Sequence, residues 1–331
     1  MNTATHPLTW VGVDVAKKKF DIFFERADGR VRHKVFANDR RGFAELLSWV
    51  QAHGLDLSQA GFCLEATGPY GLPLARALHE AGVVVALENP ARIQAFARTL
   101  GVRAKTDKAD AQLIARYAQQ HTPRPWTPPS PEEERLRALV SRLDDLLAMR
   151  TMELARLEQL HDAAQPSIKN VLKALNDEIE RLRAAIAQHI DNDPKRRRDA
   201  ELLKSIPGIA DETVSRVLAY LSEPLRRCED VRQVVAHAGL DPKVRQSGQW
   251  TGSSPISKRG SPALRRALYM PALVAKRHNP ILRAFAERLA AQGKRPKQIV
   301  VALMRKLVHL MWGILKSGRP FDPAMGLPGG G

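Results

Sequence analysis

The chain has 331 residues, 44% of them hydrophobic and 26% charged, with a formal net charge of +17. That length allows two compact domains and a connector, and the composition allows a real core, which sets aside a disordered or disulfide-stapled chain. Cys63 and Cys228 are too few and too far apart for a metal or disulfide pattern. The opening residues lack a basic leader followed by an apolar stretch, and no apolar run is expected to approach the roughly 18 residues of a membrane span, so a cytoplasmic protein is expected.

In chain order, residues 8–15 and 19–26 read as strands, and 30–38 supplies a third after the Asp28-Gly29 turn. Residues 40–53 are helical in pattern, with Phe43, Leu46, Leu47 and Val50 on one face. A short buried-type strand at 61–66, a helix at 72–81, a strand at 83–88 and helices at 90–99 and 108–120 follow. This order is that of an α/β ribonuclease H-like domain over residues 1–125. A proline-rich boundary at 121–131 leads into a helix opened by Ser130, Pro131 and Glu133, the pattern of a capping box. Leu136, Val140, Leu143 and Leu147, then Leu172, Leu175, Ile179, Leu182 and Ile186, form stripes on two long helices in a connector at 126–195. An antiparallel pair or a dimeric coiled coil would bury them equally well. A charged break is expected at 191–199. A mainly helical C-terminal domain spans 196–320, interrupted by a Gly/Ser-rich loop near 241–261, and 321–331 reads as a flexible tail.

The positive charge is uneven. From Asp241 onward, 17 Lys and Arg face three Asp and Glu, leaving +14 on this segment. Such clustering suits a surface that tracks phosphates.

Acidic residues gather in the first domain. Asp14 stands within an otherwise apolar strand, where burial is costly without a cation or partner. Glu65 closes the fourth strand, and Asp107 and Asp110 share one face at a helix start. Each has an ordinary use as a cap or solvated acid. As a set they can hold Mg²⁺, and two such ions can clamp the attacking and leaving oxygens of a phosphodiester. The Gly12-Val13-Asp14 opening also suits a sugar kinase, but no Gly/Thr-rich phosphate turn follows it.

In the C-terminal part, residues 203–209 and the helix at 212–221 read as a helix-hairpin-helix, whose Pro207-Gly208 turn and Lys204 can hold a phosphate. The loop at 241–260 carries Ser247, Ser253, Ser254 and Ser257 among Arg245, Lys258 and Arg259. A serine there can attack phosphorus, and composition does not say which. Arg265 and Arg266 then open a basic amphipathic helix. Tyr269 on that helix has no evident activating Arg and His around it.

Five stretches carry a resemblance: GVDVAKKKFD at 12–21, CLEATGPYG at 63–71, KTDKADAQLIA at 105–115, LLKSIPGI at 202–209 and ISKRGSPALRRALYMPALVA at 256–275. With them the chain resembles, over nearly its whole length, the DEDD transposases of the insertion-sequence-110 type, which are bridge-RNA-guided serine recombinases. The resemblance implies a RuvC-like domain with a Mg²⁺ quartet at Asp14, Glu65, Asp107 and Asp110. It implies a coiled-coil connector and a C-terminal transposase domain whose catalytic serine matches Ser247. The stretch Gln249–Gly252 departs from the family's serine-rich pattern and is one residue shorter, which leaves Ser253 and Ser254 as alternatives. The resemblance also implies target and donor double-stranded DNA, a structured guide RNA, and a homodimer that assembles to a tetramer, pairing one protomer's acids with another's serine. The competing expectations are a RuvC-like junction nuclease with no covalent intermediate and a non-enzymatic nucleic-acid-binding module.

Overall fold

The computed structural model describes residues 9–66, 68–101, 106–243, 246–247, 250–251 and 255–325. The chain divides into two compact units, at Pro129 and Ser130.

The first unit contains β1 (Thr9–Val15), β2 (Lys19–Glu25), β3 (Val31–Ala37), α1 (Arg40–Ala52), β4 (Ala60–Glu65), α2 (Leu72–Glu80), β5 (Val84–Glu88), α3 (Pro90–Thr99) and α4 (Asp107–His121). The sheet order is β3-β2-β1-β4-β5. β1 and β2 pair antiparallel, as do β2 and β3, whereas β1–β4 and β4–β5 are parallel. That mixed order is the ribonuclease H-like arrangement the sequence pattern anticipates.

β1 lies at the centre and is covered on both faces, which is why it reads as a nearly continuous apolar run. Val11 and Val13 pack with Phe20, Ile22 and Phe62 against Leu46 of α1 and Leu74 of α2. On the opposite face, Trp10 and Cys63 meet Ile114 and Tyr117 of α4 and Ile93 of α3. The helix α4 sits directly on β1. A Cβ at Gly12 would lie 2.1 Å from the Ala111 carbonyl oxygen and 2.3 Å from the Ala115 nitrogen, so only glycine permits this approach. Beyond α4, the Trp126 N–H donates to the Val85 oxygen at 2.6 Å, and its side chain joins the first unit's core.

The second unit begins with α5 (Pro131–Gln159) and α6 (Gln165–Asp191). Ser130 and Glu133 form the expected capping box. His189 near the end of α6 donates from Nε2 to the Glu132 carbonyl at the start of α5, so the two helices run antiparallel within one chain. Next come α7 (Pro194–Lys204), α8 (Asp211–Tyr220), α9 (Ser222–Arg227), α10 (Val231–His237), the short strands β6 (Gln246–Ser247) and β7 (Trp250–Thr251), α11 (Pro262–His278), α12 (Pro280–Ala291) and α13 (Pro296–Ser317). One cluster joins Leu136, Val140 and Leu143 of α5 and Ile179 of α6 to Leu203, Val214, Leu268 and Leu303. The connector expected at 126–195 therefore shares a core with the segment expected at 196–320.

Two expectations are corrected here. The charged break at 191–199 is mostly helix. Asp193 caps α7 by accepting from the N–H groups of Lys195 and Arg196, and Pro194 follows at the first helical position. The run of basic residues masked that start signal. Contrary to the expectation for apolar runs, α13 is long and apolar enough to cross a membrane by length and composition, with a stretch of mean hydropathy 1.4. Leu303, Leu307 and Met311 on it are fully buried, as in the core helix of a globular unit.

Candidate metal and nucleic-acid site

The β-sheet registers place a row of acids on the face covered by α4. Asp14 of β1 pairs with Asp21 of β2, and Glu65 of β4 pairs with Glu88 of β5. One step beyond the Val13–Leu64 pair in the β1–β4 register brings Asp14 beside Glu65. Side chains paired across a sheet share a face, so Asp21, Asp14, Glu65 and Glu88 line up across four strands. The first turn of α4 adds Asp107 and Asp110 above that row.

The gathering bears on the electrostatics of Asp14. The Asp14 carboxyl is pushed up to about 6, first by burial and then by the negative charges of Asp110, Asp107, Glu65 and Asp21. Its ionised form is thus disfavoured by desolvation and like charge together.

The two ends of the row are occupied differently. Asp21 is buried and bonds through Oδ1 to His33 Nε2 at 3.0 Å, while its Oδ2 lies 3.6 Å from the Lys19 ammonium. Glu88, also buried, accepts from the Tyr117 hydroxyl at 2.9 Å, the Asn89 N–H at 2.8 Å and Arg92 at 3.1 Å. Burial, followed by the hydrogen bond to Glu88, pushes the Tyr117 hydroxyl up to about 12. Burial likewise pushes the Cys63 thiol up to about 12, which makes it an inert core group. Asp21, Glu88 and Lys19 are the site residues that sequence reading missed. Their placement depends on strand register, and Lys19 Nζ meets Asp107 Oδ2 at 2.7 Å across 88 residues of sequence.

The structure brings the four expected acids into one region but does not present them as a finished ligand set. Among the described residues, no three His, Cys, Asp or Glu side chains stand together in a group able to hold a metal ion. Asp107 is instead engaged by the Lys19 ammonium at 2.7 Å. The donor chemistry nonetheless fits a hard divalent cation, since every candidate ligand is a carboxylate oxygen.

In the second unit, the loop that carries the candidate serines is closed at its neck. Lys243 N–H donates to the Pro255 oxygen at 2.7 Å, and Pro242 bridges to Ile256. Ser247 lies in β6, paired with Trp250 of β7. Arg245, Ser253 and Ser254 fall outside the described residues. Ser257 is buried and donates to Asp241, which assigns it to pinning the neck.

The expected phosphate contacts also divide. Lys258, Arg259 and Arg266 are surface residues, Lys258 with a positive φ of 55°. Arg265 instead donates to the Gly260 oxygen at 2.8 Å and the Ala238 oxygen at 3.2 Å, so it braces the chain on either side of the loop. Lys204 pairs with Asp211 across the 205–210 turn. Gly208, at φ +102°, faces α11 so closely that a Cβ would lie 2.8 Å from the Ala275 nitrogen. Its glycine identity follows from packing.

An acid row on a ribonuclease H-like sheet, followed by a basic helical unit, has the chemistry suited to phosphoryl transfer on nucleic acid. Sequence comparison makes this specific. A DEDD transposase model of the IS110 type matches residues 11–166, and a model of the IS116/IS110/IS902 transposase family matches residues 200–287. A pilin gene-inverting protein of Moraxella bovis is 34% identical over 95% of this chain and 98% of its own length. A 42 kDa protein of insertion element IS900 of Mycobacterium paratuberculosis is 28% identical over 57% of this chain and 48% of its own. The Thermus thermophilus RuvC structure aligns with 36% of this chain and all of its own at 17% identity, with a TM-score of 0.27, a likeness too slight to bear on function. The chain belongs to the IS110/IS116 family of transposases and is a DNA transposase/recombinase. DEDD transposases of this kind depend on a divalent metal.

Proposed function

We propose that Asp14, Glu65, Asp107 and Asp110 hold Mg²⁺, as two ions, beside a DNA phosphodiester, and that Ser247 is the nucleophile that attacks it. The observation that carries the metal half is the position of Asp14, pushed up to about 6 by burial and by four neighbouring acids. Such mutual repulsion is costly to maintain and is relieved by a cation. A bound divalent ion supplies Lewis acidity toward a phosphoryl oxygen and neutralises charge there.

In the serine step, the Ser247 oxygen forms a bond to phosphorus and the bond from phosphorus to a sugar oxygen breaks. The hydroxyl proton passes to a nearby base, and the departing sugar oxygen takes up a proton. A phosphoserine ester retains the phosphodiester linkage energy, so attack by a different sugar hydroxyl rejoins the strand in a new place and releases the serine. This reading takes from the family resemblance a dimer that assembles to a tetramer and pairs one protomer's acids with another's serine. Lys258, Arg259 and Arg266, with Lys204 and Arg245, supply the phosphate contacts of target and donor DNA. A structured RNA selects those DNA sites by base pairing.

Two substitutions test the scheme. Asp14→Ala should abolish DNA cleavage while DNA binding survives, and retained cleavage removes the acids from the mechanism. Ser247→Ala should prevent any protein–DNA adduct in denatured reactions. An adduct at full yield moves the nucleophile to Ser253 or Ser254. Cleavage by the unaltered protein without any adduct supports the junction-nuclease alternative.

A further inference from the structure

Lys19 opens β2 directly after the β1–β2 turn, where its carbonyl accepts the Ala16 N–H at 2.9 Å. Its ammonium reaches two acids with different duties. Asp107, 2.7 Å away, is one of the quartet and is half exposed. Asp21, at 3.6 Å, is buried and fixed from its other oxygen by His33. The lysine is thus anchored on a carboxylate that has its own partner, and from there it engages one that the metal reading requires. A half-exposed ion pair of this kind is worth little in water and can exchange. Its effect on a second cation is direct, because an ammonium and a divalent ion compete for the same oxygen.

We propose that Lys19 is a positioning residue that occupies Asp107 as an internal counter-cation, so that a divalent ion must displace it to complete its ligand set. The proposal rests on the metal reading above. It goes further in giving the chain its own competitor for the site, one that partly neutralises the acid row before any ion binds. Displaced from Asp107, the ammonium stays beside Asp21 with donors available to a phosphate oxygen.

The test is Mn²⁺ binding to the full-length chain by titration calorimetry, with no nucleic acid present. Lys19→Met should bind Mn²⁺ about fivefold or more tightly than the unaltered chain. Lys19→Arg, which keeps a cation within reach, should resemble the unaltered chain. Lys18→Met removes the same charge from the neighbouring exposed turn position and should shift affinity far less. Equal tightening in the Lys18 and Lys19 variants reduces the effect to net charge and overturns the proposal. So does unchanged or weaker binding in a folded Lys19→Met, with Lys19→Gln as the substitute if the methionine variant folds poorly. Asp14→Asn separates the two levels of inference. If it loses Mn²⁺ while Lys19→Met matches the unaltered chain, the metal reading stands and the role of Lys19 falls. If it binds Mn²⁺ as before, both fall.

Discussion

Gly12→Ala should be among the most disruptive single-methyl additions in the first unit. The added Cβ would meet the Ala111 oxygen at 2.1 Å and the Ala115 nitrogen at 2.3 Å. Ordinary non-bonded contact is about 3.5 Å. Both obstructing atoms are helix backbone, so no side-chain rotation relieves the clash and α4 must move by more than about 1 Å relative to β1. Overpacking of this kind costs about 1–3 kcal/mol, and the backbone clash places Gly12→Ala at the upper end, about 3 kcal/mol. The displacement also carries Asp107 and Asp110, which sit on the first turn of that helix. Metal ligation tolerates only about 0.2 Å. Hydrogen exchange read by mass spectrometry should therefore show β1 and α4 peptides exchanging about a hundredfold faster than in the unaltered chain, since 1.4 kcal/mol is about tenfold. Peptides from α5 to α13 should not change. Mn²⁺ affinity should fall in the same variant. Exchange within about threefold of the unaltered chain refutes the claim that Gly12 sets the height of α4.

Two further outcomes follow from local structure. His309 is buried on α13 with neither ring nitrogen hydrogen-bonded, and burial, followed by Lys306 and Arg305, pushes it down to about 4. Its folded form binds fewer protons than the unfolded chain between that value and the usual 6.5, so stability is lost as pH falls through that window. His309→Leu should remove about 3 kcal/mol of this loss between pH 7 and pH 4 in denaturant unfolding, and identical acid limbs in the two proteins would falsify the assignment. Ser130→Ala breaks the capping box of α5 and should cost about 1 kcal/mol in the same measurement, whereas an unchanged midpoint removes the cap from the stability of the second unit.

Much of the fold is legible because its signals are local. The Ser130-Pro131-Glu133 start, the alternating stripes of the long helices and the apolar β1 around Asp14 each lie within a few residues of sequence. Asp14 stood out because an acid is rare in a central strand. Asp21 and Glu88 did not, since their membership of the same row exists only once β1–β2 and β4–β5 are in register. The basic segment shows the reverse problem. Arg265 and Gly208 carry the chemistry of phosphate contacts, yet one braces backbone carbonyls and the other admits α11. Residue type announces what a side chain can do, and packing decides which of those uses remains open.

The same distinction supports the proposal that the acid row serves function in the first unit. Its outer members behave as structural acids usually do: Glu88 has three donors, and Asp21 has a histidine and a lysine. The balance differs at Asp14, where burial and the charges of Asp110, Asp107, Glu65 and Asp21 work against ionisation. A fold under no functional demand would replace such a residue with an apolar one of similar size, at little cost or a gain in stability. The first unit instead sets glycine at position 12 so that α4 can bring two more carboxylates toward Asp14. Two backbone features thus increase the repulsion: the close helix approach and the pairing of Asp14 with Asp21. Locally unfavourable choices that reinforce one another in this way are expected where a ligand will supply the missing opposite charge.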